Sequence, residues 1–339
     1  MWSSFRLKIL RIGDPHIKPS NVEEAEKLFH FINDQIFELQ PDRVEILGDL
    51  FHTHAIIRME VLEFWNGWFD VLVSHENIEF IVLIGNHDMT GDYQSHTSAL
   101  SVFKHMARKH RNLKIVEHPR TEGIYGYVSY THDRNTFYDI CRGLANEGSK
   151  VLVCHQSFST SKFESGTYDP DGIDPAPIPF NLIISGHIHS YQKCVADGKT
   201  IIHPGTPKWD SLSDANQDKG IWLYEHDDVT GAIISETMIG TKHVVTKIVS
   251  IVWEEGKDLP AIESGVKTTI ELIGSSAWVN EHKKALKGHY GLKTQITDRA
   301  DKSERKPGKN FQDFMLNLYV TKADKPKLLE YMRNNGIIG

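Results

Sequence analysis

Five times along this chain an apolar, strand-like run ends on a short cluster of residues able to hold a metal ion. Residues 7–12 lead into Gly13-Asp14-Pro15-His16, 44–47 into Gly48-Asp49, 80–84 into Gly85-Asn86-His87-Asp88, 150–154 into Cys154-His155, and 181–185 into Gly186-His187-Ile188-His189. Helical spacing fills the first gap, where Val22, Ala25, Leu28, Phe29, Ile32, Ile36 and Leu39 recur on one face, and residues 58–75, rich in Trp and Phe, read as a second helix. The β-α-β-α-β series predicts an α/β fold. Ligands of α/β sheets bind outside the carboxyl ends of the strands, so the five loops should meet at one edge. In extended chain, residues i and i+2 face the same way, which aims Asp14 with His16 and His187 with His189 at common points. Later strands at 200–203, 220–225 and 232–238 read as a β-meander.

At 339 residues the chain should hold two or three structural units. No apolar run approaches the roughly 18–20 residues of a membrane span, and the start, Met1-Trp2-Ser3-Ser4-Phe5-Arg6, lacks the pattern of a secretory signal, so a soluble cytoplasmic protein is expected. Three cysteines, Cys141, Cys154 and Cys194, in no C-x-x-C pairing argue against a disulfide framework and a thiolate zinc site. Residues 257–339 carry 15 Lys and Arg against 10 Asp and Glu, leaving 23 against 35 for residues 1–256. An acidic front argues against holding nucleic acid by bulk charge alone, although carboxylates gathered around divalent cations separate local potential from net charge.

The donors Asp14, His16, Asp49, Asn86, His155, His187 and His189 are carboxylate, imidazole and amide, a set suited to Mn2+, Fe, Zn2+ or Mg2+. Seven exceed the needs of one ion. A shared carboxylate, best assigned to Asp49, would bridge two ions about 3.5–4 Å apart, an arrangement that clamps a phosphoryl oxygen and activates water for in-line attack.

The ordered set D-x-H, GD, GNHD, a lone His and GHxH resembles that of the calcineurin-like dinuclear metallophosphoesterases. That resemblance implies a four-layered α/β/β/α sandwich over residues 1–240, with a small α+β capping domain at 241–300. Within the superfamily, Gly48-Asp49-Leu50-Phe51-His52, Ser185-Gly186-His187-Ile188-His189, His203-Pro204-Gly205-Thr206-Pro207 and Lys219-Gly220 resemble SbcD-type nuclease subunits, in length the shorter phage-encoded versions. The likeness is close over about residues 7–240. It implies Asp14, His16, Asp49 and His189 on one metal and Asp49, Asn86, His155 and His187 on the other, most naturally Mn2+, with Mg2+ as the substitute. It also implies His87 as the group that stabilises or protonates the leaving oxygen, Asp88 orienting its ring, and His52 as a second histidine near the scissile phosphate. Pro15 and the loop 156–179 depart from the family pattern. The implied activity is Mn2+-dependent double-strand exonuclease and single-strand endonuclease action on DNA, in repair, recombination or replication. The implied partner is an SbcC-like ABC-type coiled-coil ATPase, engaged by a homodimer within a heterotetramer.

Residues 301–309 read as a polar linker whose basic charge is best explained by solvation. Beyond it, Phe311, Phe314, Met315 and Leu318 form a helical stripe behind Asn310, and Leu328, Leu329 and Met332 form another behind Asp324 and Pro326. Helices this short need another surface to bury them, so 310–339 reads as a helix-loop-helix tail for the ATPase. His54 reads as a solvent-facing neighbour of His52, Cys154 as a buried inert thiol, and Phe64, Trp65, Trp68 and Phe69 as helix packing. A protein or small-phosphoester phosphatase is the enzymatic alternative, but protein phosphatases of the superfamily carry an Arg after GD-x-x-D that is absent here. A scaffold that lost catalysis is the other, and such proteins lose ligands, none of which is missing.

Overall fold

The computed structural model describes residues 6–54, 56–90 and 97–297. The first part of the chain alternates strand and helix: β1 (Arg6–Ile12), α1 (Val22–Leu39), β2 (Arg43–Ile46), α2 (Met59–Val73), β3 (Glu79–Leu83), α3 (Lys104–Lys109) and β4 (Leu113–Val116). A second series follows as β5 (Arg120–Glu122), β6 (Tyr125–Val128), α4 (Arg134–Asn146), β7 (Val151–Cys154), β8 (Leu182–Ser185), β9 (Gln192–Ala196) and β10 (Lys199–His203). Then come β11 (Gly220–Asp227) and β12 (Ile233–Gly240).

Among the described residues these strands make two six-stranded sheets, ordered β12-β11-β1-β2-β3-β4 and β5-β6-β7-β8-β10-β9. Strands β1 to β4 run parallel, as do β6, β7, β8 and β10. The expected meander does not form. β10 stays in the second sheet beside β8, whereas β11 crosses to the first and pairs antiparallel with β1. Each strand goes where its apolar face finds a layer to cover, and short-range alternation does not report which sheet that is.

Three apolar layers make this a four-layered α/β/β/α sandwich. Leu10, Ile12, Val44, Ile46, Phe80 and Val82 pack outward against Leu28, Phe29 and Ile32 of α1 and Val61, Trp65 and Phe69 of α2. The expected aromatic packing is present there, with the Phe29 and Trp65 rings edge to face at 5.1 Å. Ile9, Leu47, Ile81 and Leu83 meet Tyr127, Val153, Ile184 and Ile202 between the sheets. Leu152, Cys154, Ile183 and Ile201 pack outward on Phe137, Cys141 and Leu144 of α4. That helix starts at Asp133, whose carboxylate accepts the Thr136 N–H at 2.8 Å.

The inter-sheet layer also buries charge. Arg11 Nε donates to Glu45 Oε2 at 2.7 Å with both side chains almost wholly buried, and Glu45 also accepts from the Tyr127 hydroxyl. Arg43 donates to that hydroxyl at 2.7 Å and to Glu79 at 2.5 Å. Burial would raise the Glu45 carboxyl, but Arg11 and Arg43 outweigh it and hold the group ionised.

After β12 the chain forms a three-stranded sheet ordered β13 (Ile248–Glu254), β14 (Lys267–Gly274), β15 (Gly291–Ile296), with α5 (Ser276–Leu286) between the last two in sequence. Two compact units result: Met1–Ile251 with Pro260–Ile270 and Gly288–Gly291, and a second of Val252–Leu259, Glu271–Lys287 and, among the described residues, 292–297. The linker at 301–309 and the tail at 310–339 lie outside the described residues. No helix among the described residues is long and apolar enough to cross a membrane.

Glu45→Ala should destabilise the metal-free protein by about 3–5 kcal/mol in urea denaturation, because it leaves Arg11 without its carboxylate partner in the layer between the sheets. Arg11→Met/Glu45→Met should cost less than Glu45→Ala alone. A smaller loss in the single variant than in the pair would show the network to be dispensable.

Candidate metal centre

Register puts the donor loops level with one another. Ile12 pairs with Ile46 and Ile46 with Val82, so β1, β2 and β3 end side by side and release Asp14, Asp49 and Asn86 at one edge. Cys154 pairs with Ser185, which releases His155 and His187 together from the second sheet. The backbone then turns sharply. His16, Asp49 and His187 take positive φ of 45°, 51° and 76°, a conformation costly for side chains other than glycine and concentrated here at the donors. Glycine is required where loops touch: a Cβ on Gly85 would lie 2.1 Å from Asp49 Oδ1, and one on Gly186 would lie 2.6 Å from Asp14 Oδ1.

All seven predicted donors converge. His16 Nε2 lies 3.0 Å from His189 Nε2 and 3.5 Å from Asp49 Oδ2. On the other side of Asp49 Oδ2, at 3.4 Å, stands His155 Nε2, itself 3.1 Å from Asn86 Oδ1, which is 2.9 Å from His187 Nδ1. Asp14 Oδ1 approaches His155 Nδ1 at 3.6 Å. Asp49 is thus common to two subsets, and its carboxylate is divided between tasks: Oδ1 accepts the His87 backbone N–H at 2.8 Å, leaving Oδ2 to face both.

The chemistry of the set fits cations. His155 Nδ1 lies 2.6 Å from the Leu47 carbonyl, a contact that only a ring N–H can satisfy, so Nε2 is the atom that faces the oxygens of Asn86 and Asp49, and only a cation, proton or metal, between them relieves the contact. Acceptors therefore face acceptors. Both oxygens of Asp14 are buried without a hydrogen-bond donor, as is His16 Nδ1. Burial pushes the Asp14 carboxyl well up and the His16 and His187 imidazoles down, the latter to about 3, which keeps those rings neutral, as metal ligands must be. Burial also disfavours charge on His155, but Asp49 and Asp14 outweigh it and raise that ring to about 9, so without a metal ion Nε2 takes up a proton that a cation bound there would displace.

The sequence of the calcineurin-like phosphoesterase family matches residues 7–191, more than half of the chain and a span containing all seven donors. The chain belongs to that family. Its members work through a dinuclear metal centre, which accounts for the excess of donors over the needs of one ion. Among curated relatives, "Putative phosphoesterase 244L" of Invertebrate iridescent virus 6 is 28% identical over 230 residues, 65% of this chain and 77% of that protein. The DNA double-strand break repair protein Mre11 of Nanoarchaeum equitans is 25% identical over 248 residues, 65% of each chain, so just under two thirds of its length is spanned. Among solved structures, TT1561 of Thermus thermophilus aligns over 69% of this chain and 99% of its own with a TM-score of 0.46 at 12% identity.

Around this phosphoesterase centre stand the other predicted residues. His87 Nδ1 lies 2.7 Å from the His52 carbonyl, and ring nitrogens of His16, His52 and His87 all lie within 4.8 Å of one another. Asp88 does not orient the His87 ring. Its buried carboxylate accepts the N–H groups of Phe51 and Gly85, each at 2.9 Å, and so ties the loop after β2 to the loop after β3; the His52 carbonyl holds the ring instead. His54 is not simply solvent-facing, since its ring stacks on that of His87 at 4.3 Å. Cys154 is buried, with its thiol pushed up to about 12 by burial.

Sequence reasoning missed the charged shell. Asp210 binds Lys208 at 2.8 Å and Lys18 at 3.0 Å, and lies 3.7 Å from His52 Nδ1. Glu164 accepts the His189 N–H at 2.8 Å, and Lys219 donates to the His189 carbonyl at 2.8 Å and to Asp214 at 2.6 Å. Lys208, Asp210 and Lys219 sit in or beside motif stretches, but Glu164 lies in the loop whose sequence departs from the family pattern.

Mn2+ at 100 times its dissociation constant should stabilise the wild type by about 2.7 kcal/mol. In Asp49→Asn, and in Gly85→Ala, whose new methyl displaces Asp49, the Mn2+-induced rise in Tm should vanish and bound metal should fall from two equivalents to one or none. Metal analysis with thermal denaturation checks both, and an Asp49→Asn protein that kept two equivalents would remove Asp49 from its bridging place.

Proposed function

We propose that this phosphoesterase is a Mn2+-dependent DNA nuclease of the SbcD type. The observation that carries the reading is the pair His52 and His87, standing beside the donor cluster with no arginine between Leu50 and His54, where protein phosphatases of the superfamily carry one to bind the phosphate. Similarity to an Mre11 repair protein supports it.

Two bound divalent cations would supply a polarised phosphoryl oxygen and an activated water. Asp14, His16 and His189 would hold one, Asn86, His155 and His187 the other, with Asp49 shared. The chain's own part lies at the leaving group. With Nδ1–H of His87 donating to the His52 carbonyl, Nε2 is the ring atom left to reach the departing oxygen; the doubly protonated ring would pass its Nε2 proton there and remain as the neutral Nδ1–H imidazole. His52, about two-fifths exposed and within reach of Asp210, faces solvent where the strand would enter.

His87→Ala should keep both metals and DNA affinity while kcat on single-stranded DNA falls by roughly 10²–10⁴. The purified protein with Mn2+ should cut linear duplex and single-stranded DNA and leave a phosphopeptide intact. Dephosphorylation of the peptide without DNA cleavage would establish the phosphatase alternative.

The proposed partner is an ABC-type coiled-coil ATPase gripped by residues 310–339, with two copies of the nuclease joined so that two tails act at high effective concentration. Truncation after Lys309 should abolish co-purification with that ATPase and leave cleavage of single-stranded DNA intact. Undiminished ATPase binding, or loss of metal content, would place the tail's role within the catalytic unit.

A further inference from the structure

A cavity of about 330 Å³ lies next to the metal centre, bounded on one side by the loop that carries Asn86 and on the other by the segment joining β6 to α4. None of its residues has a part in the chemistry assigned above. Ile84, Met89, Val128 and Ile140 make its apolar lining. Tyr130 belongs to both places: its ring stacks on His187 with centroids 6.1 Å apart and planes 16° from parallel, stands edge-on to His155 at 6.3 Å, and also lines the cavity. The two walls are joined by backbone, since Tyr130 N–H donates to the Ile84 carbonyl at 2.8 Å and Ile84 N–H donates to Ser129 Oγ at 2.8 Å. A ligand here is therefore held at a fixed distance from the donors.

The lining chemistry selects the occupant. Among the described residues no Lys or Arg lines the cavity, whereas Asp133 and Glu117, the latter paired with Lys104, do, so a second phosphate finds no cation in the lining. An apolar bed, one tyrosine ring, the His118 imidazole and hydroxyls suit an uncharged aromatic heterocycle with hydrogen-bonding edges. The volume is at the lower end of the roughly 300–1,000 Å³ of small-ligand pockets, room for one base and not for a base pair. We infer that this cavity receives one unpaired nucleobase of the strand being cut, adjacent to the scissile phosphate, with Tyr130 as a wall of the site. The inference rests on the nuclease reading and adds to it that the substrate at the centre is locally single-stranded.

The test uses the full-length protein with Mn2+ and a single-stranded oligonucleotide in which one abasic residue is moved through the positions flanking the cleaved bond. At one position, loss of the base should lower kcat/KM by roughly 5- to 100-fold, and at the others by much less. Ile140→Trp, which fills the cavity, should lower the rate on the intact oligonucleotide and bring the ratio of intact to abasic rates at that position close to one. Wild type indifferent to the abasic residue at every position, or Ile140→Trp with the wild-type ratio, overturns the inference, and the first of these needs no altered protein to fold. A wild-type protein that hydrolyses bis(p-nitrophenyl) phosphate but cuts no oligonucleotide would overturn the nuclease reading itself, a result distinct from indifference to the missing base.

Discussion

Acceptors packed against acceptors are the constraint around which the rest of this structure is arranged. Asp14, Asp49 and Asp88 are carboxylates almost wholly withdrawn from water, and Nε2 of His155 and the Asn86 oxygen point into the same small space. Like charges about 4 Å apart repel by about 4 kcal/mol at the effective dielectric of a protein, so such a cluster persists only where strong scaffolding holds it and a cation offsets it. The scaffold is visible in the backbone. Three donors adopt left-handed φ, each at a cost of order 1–3 kcal/mol, and loops meet so closely at Gly85 that a methyl group there would overlap a donor oxygen.

That strain is carried by what lies beneath it. Five strands end level because the parallel ladders fix their register, and slipping any of them by one residue would turn its apolar face out of its layer. The inter-sheet layer adds a polar lock. Ile9 and Arg11 share a face of β1, so the ladder that buries Ile9 also buries Arg11, and Glu45 of β2 with Tyr127 of β6 completes a link across the two sheets. A buried ion pair of this kind contributes little net stability, but breaking it is expensive, which favours one relative position of the sheets over others. The donors come from both sheets: Asp14, Asp49 and Asn86 from one, His155, His187 and His189 from the other. The centre therefore depends on that position.

Much of this was legible in the sequence because strand ends followed by Gly and donor residues carry a strong local signal. β1 to β3, β7, β8, α1 and α2 follow from periodicity, and the four layers from the family resemblance of the motifs. Strands β4 to β6 do not, being three or four residues long with Gly126 inside β6, and α4 is polar on most of its surface. The sheet switch between β10 and β11 is invisible to any local pattern. At the site, residue types announced the donors, whereas contacts made through the backbone left no trace. Asp88 looks like a partner for its neighbour's imidazole, yet its oxygens bind the amides of Phe51 and Gly85. Only coordinates reveal which N–H groups a carboxylate meets. Buried lysines such as Lys208 are equally unreadable, because a lysine is by default a surface residue.

The segment from Gly85 to Asp88 shows how one short loop serves two purposes without conflict. Its main chain belongs to the donor cluster: the Gly85 N–H anchors Asp88, and the His87 N–H fixes Asp49 Oδ1 so that Oδ2 alone faces the donors on either side. Its side chains divide, Asn86 turning in toward His155 and His187 while His87 turns toward His52 and His54. Because position 87 supports Asp49 through its amide and not its ring, the ring is left free for the proton transfer proposed for it. The converse holds for residue 85, where the absence of a side chain is what keeps the Asp49 carboxylate in place. Metal binding and the proposed leaving-group chemistry are thus linked through shared backbone, yet separable by side chain.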